Sequence, residues 1–212
     1  MKKVVVVGSG GLAREFTQWF SSQIEIVGYL SNNIEEHEKF NLPGRLFEDE
    51  RNIENIGTNL AVIAVGSPIL KEKIYIKLTE TGYQFPVMIH QSSVVAKNVN
   101  FSEGVVICPF CCVGPNTSFG ALSYINFSCG IGHDTQMGEF IQINPGAQIG
   151  GSCNVEKKTL IGSGAVIRRG IKIGEESTIG SGSIVLNKVR AGTTVIGNPA
   201  RRFKLFDKRY NE

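Results

Sequence analysis

The chain has 212 residues, 42% hydrophobic and 19% charged, with a net charge of +3. That balance is ordinary for a globular protein and is too weakly basic to argue for a nucleic-acid partner. The opening MKKVVVVGSGG has too short an apolar run for a secretory signal, no stretch approaches the ~18 apolar residues of a membrane span, and five cysteines fit a reduced compartment, so a cytoplasmic protein is expected.

In chain order, KVVVVGSGGLAREFTQWF reads as a strand, a glycine turn and a helix. IEIVGYL is a second strand and NLAVIAVG a third, followed by the helix SPILKEKIYIKLTETG and a short fourth strand, FPVMI. This alternation implies a small parallel α/β domain of Rossmann-like type over residues 1–85. The loop Gly8-Ser9-Gly10-Gly11 opens a helix whose first N–H groups suit phosphate oxygens. A dinucleotide site wants an acid at the end of the second strand, and here that strand runs into Ser31-Asn32-Asn33. Two readings stay open: a smaller phosphate ligand such as a nucleotide-sugar, or a glycine turn that serves packing alone.

From Ile89 a large apolar residue recurs every sixth position through Phe101, Val113, Ile125, Met137, Ile149, Ile161 and Ile173 to Val185, without a break. Two residues before most of these stands a small one, such as Cys111, Thr117, Ser123, Cys129 or Ala147. One residue after, glycine is common: Gly114, Gly120, Gly132, Gly138, Gly150, Gly162, Gly174 and Gly180. A large and a small side chain two apart, both inward, is strand alternation. The glycines are expected at turns that need permissive backbone angles. Period six with this pattern is the signature of a parallel β-helix. Three units make a triangular coil, so residues 86–190 form the second domain with about five coils, and residues 191–212 a tail. The tail's end, ARRFKLFDKRYNE, reads as a solvated terminal helix. With no inserted loop, function must lie on faces and corners, and uncovered flat faces favour a homo-oligomer.

The inward register takes Cys111, Cys129 and Cys153 as small hydrophobes, which argues against a catalytic thiol. Among three histidines, His37 lies in the acidic stretch NNIEEHEK and reads as solvated, and His90 as a domain-junction residue. His133 follows Gly132 and precedes Asp134, which places it at an outward corner. Histidine can take a proton near neutral pH, and a neighbouring carboxylate can orient it. A surface histidine at a turn is the alternative.

A small α/β domain followed by a six-residue-repeat coil resembles the sugar O- and N-acyltransferases of the sialic acid O-acetyltransferase type, hexapeptide-repeat enzymes that include those acetylating nucleotide-linked amino-sugars. The resemblance spans nearly the whole chain and is carried by VVVVGSGGLARE, IVGYLSNN, VIAVGSP, INFSCGIGHD, FIQINPGAQIGG and VIGNPARR. It implies a left-handed hand for the β-helix, acetyl-CoA as co-substrate without a metal, a nucleotide-sugar acceptor acetylated on an amino group, and a homotrimer. By matching position it gives His133 the role of general base and Asp134 that of raising its basicity. Asn126 would line the same pocket. Gly151, Ser163 and Ser181 would touch acetyl-CoA, and Gly10, Gly11 and Gly66 the nucleotide-sugar. Three positions depart from the pattern: Leu12 stands for a histidine of the glycine loop, Ser31 and Asn32 for acids after the second strand, and Gln142 for a second histidine near the acyl donor. The basic pairs Lys157-Lys158 and Arg168-Arg169 are candidates for coenzyme A phosphates, or solvated turn charge. Other readings are a sialic acid or other sugar O-acetyltransferase, and a non-catalytic binding or scaffolding protein. A zinc carbonic anhydrase on this coil would need three histidine ligands, and only His90 and His133 lie on it.

Overall fold

The computed structural model describes residues 1–51 and 53–203. The chain divides into two compact units, Met1–Pro86 and a second that begins at Val87.

The first unit is a four-stranded parallel sheet. Its strands are β1 (Lys2–Val7), β2 (Ile24–Leu30), β3 (Arg45–Phe47) and β4 (Ala61–Ile63), in the order β3-β2-β1-β4. Its helices are α1 (Gly11–Phe20), α2 (Ile34–Lys39), α3 (Ile53–Ile56) and α4 (Pro68–Glu80). Val4, Val5, Val6 and Val7 of β1 are all buried, as a central parallel strand covered on both faces requires. Helix α1 turns Ala13, Phe16, Thr17 and Phe20 inward, one stripe at helical spacing. Thr17 and Tyr29 share a buried hydroxyl–hydroxyl bond of 2.6 Å. FPVMI is not a fourth strand of this sheet. Met88–Ile89 pairs with Val106–Ile107 and belongs to the coil, while the fourth strand is the three-residue edge β3, too short to show alternation in the sequence.

The second unit stacks three parallel sheets. As far as Val185 each coil takes eighteen residues, the step from Ile107 to Ile125 and from Ile125 to Ile143; the last closes in sixteen, from Thr178 to Thr194. These residues lie on the first face; Val113, Ile131 and Ile149 lie on the second, and Phe119, Met137 and Val155 on the third. All point into one core, and each fully buried isoleucine contributes roughly 1.5–3 kcal/mol. The small register is inward too: Cys111, Thr117, Ser123, Cys129, Thr135 and Ala147 are at most 1% exposed. Its polar groups are satisfied at the corners. Thr117 donates to the Gly114 carbonyl at 2.8 Å, Ser123 to Gly138 at 3.0 Å and Thr159 to Glu156 at 2.7 Å, so they carry no desolvation penalty.

The corners correct one expectation. The glycine that follows each large residue does not adopt left-handed angles. The left-handed residue comes two positions later, and in many units it is not glycine: Phe110, Asn116, Leu122, Ser128, Asp134 and Phe140 have φ between 57° and 61°. The glycine is needed for close approach. A Cβ on Gly120 would stand 2.5 Å from the Gly138 carbonyl carbon, and one on Gly114 2.6 Å from the His133 nitrogen, in the next coil. The expected tail also begins later than residue 191. Thr194–Ile196 extends the first face and Arg201–Arg202 pairs with it antiparallel. The terminal helix read beyond Phe203 lies outside the described residues.

Candidate active site

His133 stands at the corner between the second and third faces, directly after the strand Gly130–Ile131. Two backbone bonds fix the corner: Asp134 N donates to the Pro115 carbonyl at 2.9 Å, and Ser152 N to the His133 carbonyl at 2.7 Å. His133 Nδ1 lies 2.6 Å from Asp134 Oδ2. Asn116 Nδ2, one coil below, donates to Asp134 Oδ1 at 3.0 Å. The hydrogen bond from His133, then that from Asn116, holds the Asp134 carboxyl below the usual carboxylate range. Asp134 is therefore an acceptor at neutral pH. The proton of a neutral imidazole sits on Nδ1, which leaves the Nε2 lone pair available. The two side chains are 47% and 50% exposed. The ring lies against Gly151, where a Cβ would come within 2.7 Å of Nε2. Gly151 is thus glycine because the imidazole occupies its side-chain space.

Asn126 is elsewhere. Seven residues before His133 is one corner earlier, so the strand Gly130–Ile131 separates the two within a chain. Asn126 is 4% exposed and its Oδ1 accepts the Phe127 N–H at 2.8 Å. Ser163 and Ser181 are exposed on that same corner in successive coils. Gln142 lies on the first face, 1% exposed, and its amide donates to Asn144 Oδ1 at 3.2 Å, so it is not offered to a surface groove. Lys157 and Lys158 pair with Glu175 and Glu176 at 3.7 Å; Arg168 and Arg169 are exposed. A shallow groove of about 430 Å³ runs over the second face past Val94, Cys112, Gly130 and Gln148 to Gly132, beside His133. His37 is not simply solvated: it is half-buried and meets Tyr29 edge-on at 5.5 Å.

In the α/β unit, the order β3-β2-β1-β4 puts a topological switch point between β1 and β4, where a crevice forms at the carboxyl ends of the strands. That crevice measures about 340 Å³ and is lined by Val7, Gly8, Ser31, Asn32, Val65 and Glu50, among others. Gly10 caps α1 without a side-chain bond, so the first-turn N–H groups have no capping side chain. A Cβ on Gly10 or Gly66 would meet nothing within 4 Å, and one on Gly11 only Arg14 Nη2 at 3.8 Å. Leu12 is half-buried and Asn32 exposed. The Ser31 hydroxyl lies 2.9 Å from that of Ser9 and accepts the Asn33 N–H at 3.1 Å. Two acids on the crevice went unread in the sequence. Glu48 and Glu50 follow β3 and line the crevice; Glu50 pairs with Lys77 at 2.8 Å, and that lysine holds its carboxyl below the usual range. FEDE is their signal, hidden because β3 was not recognised. Asn116 was missed as well, although it stands one eighteen-residue step before Asp134.

Among the described residues no group of three or more His, Cys, Asp or Glu side chains is placed to hold a metal ion. None of the described helices is long and apolar enough to cross a membrane.

Residues 152–187 match the model for the bacterial transferase hexapeptide (six repeats). No curated protein matches the chain. Solved structures do. A mutant perosamine N-acetyltransferase from Caulobacter crescentus, in complex with CoA and GDP-perosamine, is 22% identical with a TM-score of 0.88 over 96% of this chain and 97% of that one. The acetyltransferase domain of PglB from Neisseria gonorrhoeae, in complex with acetyl coenzyme A, is 23% identical with a TM-score of 0.84 over 95% and 99%. WeeI from Acinetobacter baumannii is 25% identical with a TM-score of 0.82 over 96% and 100%.

Proposed function

We propose that this hexapeptide-repeat protein, an α/β unit followed by a left-handed parallel β-helix, is an acetyl-CoA-dependent acetyltransferase that acts on the amino group of a nucleotide-linked amino-sugar. The observation that carries the reading is the His133–Asp134 pair at 2.6 Å on an open corner, with Nε2 free. The ligands of similar folds support it: CoA with GDP-perosamine in one, acetyl coenzyme A in another.

Acetyl transfer needs one proton removed from the attacking amine and a place for the developing oxyanion. The amine nitrogen attacks the thioester carbonyl carbon, a C–N bond forms and the carbonyl electrons move to oxygen. His133 Nε2 takes the amine proton as the imidazolium forms, and Asp134 stabilises that charge through Nδ1. The intermediate collapses, the C–S bond breaks, and the departing thiolate recovers the proton from His133. The products are an acetamido-sugar and free coenzyme A. Ser163 and Ser181, which are exposed, and Gly151, buried against the His133 ring, are the positions for the acyl donor. The crevice lined by Gly8, Ser31, Asn32 and Val65, with Gly10, Gly11 and Leu12 following Gly8 and Gly66 following Val65 in the chain, holds the nucleotide-sugar, phosphates against the start of α1.

A homotrimer fits the exposed apolar residues of the coil. Val94 and Phe110 are each 69% exposed and Val166 40%, and a second copy over the second face would cover them. It would also set one chain's Ser163 and Ser181 corner against another's His133. A cytoplasmic location is part of this reading, because the acetyl-CoA would be drawn from that compartment.

The test is turnover of acetyl-CoA by purified protein with a panel of nucleotide-linked amino-sugars and sialic acids, read as thiol release. His133→Ala should lower kcat by about 10²–10⁴ with the fold intact. Near-normal turnover in that variant, or transfer only to hydroxyl acceptors, would refute the base or the N-transfer respectively. A stable monomer in light scattering would refute the trimer.

A further inference from the structure

We infer that Asn116 is a positioning residue for the base: from one coil below it keeps the Asp134 carboxylate turned toward His133. The inference rests on the reading of His133 as the base. Asn116 and Asp134 occupy the same corner position eighteen residues apart, and both take the left-handed conformation, with φ 57° and 58°. Equal backbone angles in register stack their side chains. Asn116 Nδ2 donates to Oδ1 at 3.0 Å, and the second carboxylate oxygen faces His133 Nδ1 at 2.6 Å.

An exposed carboxylate beside an exposed imidazole is weakly held on its own, and its terminal torsion is broad. A second hydrogen bond on the far oxygen removes that freedom. The donor itself is anchored. Asn116 N donates to the Asn98 carbonyl at 2.9 Å, and the adjacent Thr117 hydroxyl closes the corner on the Gly114 carbonyl at 2.8 Å. Asparagine suits the place twice, because it tolerates left-handed angles and its amide donates without charge. Equivalent left-handed positions hold Phe110, Leu122 and Phe140, which could not donate, and Ser128, Ser152 and Lys158, which could. The competing account is a stack that serves only the coil, as Lys158 and Glu176 form at 3.7 Å in the same relation.

The two accounts separate in a double-mutant cycle. Asn116→Gly tolerates the left-handed backbone and removes the side chain with its amide donor. It should lower kcat about 5–30-fold, with KM for both substrates unchanged. Asn116→Asp, which sets a carboxylate against Asp134, should lower it further. In an Asp134→Asn background, Asn116→Gly should change kcat by less than about twofold. An equal loss in both backgrounds, or near-normal kcat in the single variant, overturns the inference. A second readout needs no turnover. With three histidines in the chain, ¹⁵N-histidine NMR can resolve the neutral His133 ring. The unsubstituted protein should show the Nδ1–H tautomer, and Asn116→Gly a mixture of both. An unchanged tautomer in the variant overturns the inference. Absence of turnover with this tautomer shift intact refutes the enzyme reading instead, so the two failures are distinguishable.

Discussion

Glycines do opposite work in the two units. In the coil, a Cβ on Gly114, Gly120 or Gly138 would stand 2.5–2.6 Å from the backbone of the next coil. These residues are glycine because stacked chains pass there. In the α/β unit, a Cβ on Gly10 or Gly66 would meet nothing within 4 Å, and neither residue has left-handed angles. Among the described residues no neighbour demands glycine at those two positions; under the proposed function the demand would come from the ligand. Gly151 is intermediate: its missing side chain makes room for an imidazole and not for backbone. The three cases differ in what a Cβ would meet: the backbone of the next coil, an imidazole, or open space.

Substitutions sharpen that contrast. Gly120→Ala should have the largest effect, because the methyl group meets backbone that cannot turn aside; about 1–3 kcal/mol of stability should be lost, seen as a fall in Tm. An unchanged Tm would mean that neighbouring coils can separate locally, and the contrast would break. Gly151→Ala comes next. Its methyl meets the movable end of a side chain, so the fold should hold while the ring is displaced. A fall in kcat of about tenfold or more with Tm preserved is the expected pair of readings; the reverse pair would make Gly151 a packing glycine. Gly10→Ala should be smallest. Stability should stay within about 0.5 kcal/mol, and the acceptor KM should rise a few-fold while that for acetyl-CoA stays constant. If the acetyl-CoA KM moves instead, the crevice is not the acceptor site.

The coil was the most legible part of the chain. Ile107, Ile125 and Ile143 needed only counting, since an inward position every sixth residue has no other regular reading, and Cys129 and Thr135 fell into place from the same register. What counting could not separate was why a corner residue is small, because close approach and left-handed angles both favour glycine. In the fold Gly132 serves the first need and Asp134 accepts the second. The α/β unit was read less completely. β1 announces itself by four consecutive valines, whereas β3 spans three residues at the sheet edge and left Glu48 and Glu50 without a place. His133 and Asp134 were legible because they adjoin. Asn116 was legible in principle, one period away, but a contact between coils is not visible to a reading that follows the chain. Asn126 was assigned to the pocket of His133 by resemblance, and the six-residue period alone puts it on the preceding corner.

The pairing of every coil strand with partners one full circuit away has an evolutionary corollary. A single inserted residue would swing the following side chains off the inward register and present Ile143 or Ile161 to water. Within the regular coils, before the shortened last circuit, such a chain can change length only in whole frames: six residues to advance one face, eighteen to keep every corner above its old neighbour. Lengthening by eighteen beyond Ile173 would leave the column of Asn116, Asp134 and Gly151 untouched. Lengthening by six anywhere between Asn116 and Gly151 would preserve the apolar interior while rotating one part of that column onto another edge of the prism. The interior thus tolerates two gauges of insertion, and the edge that carries His133 only one.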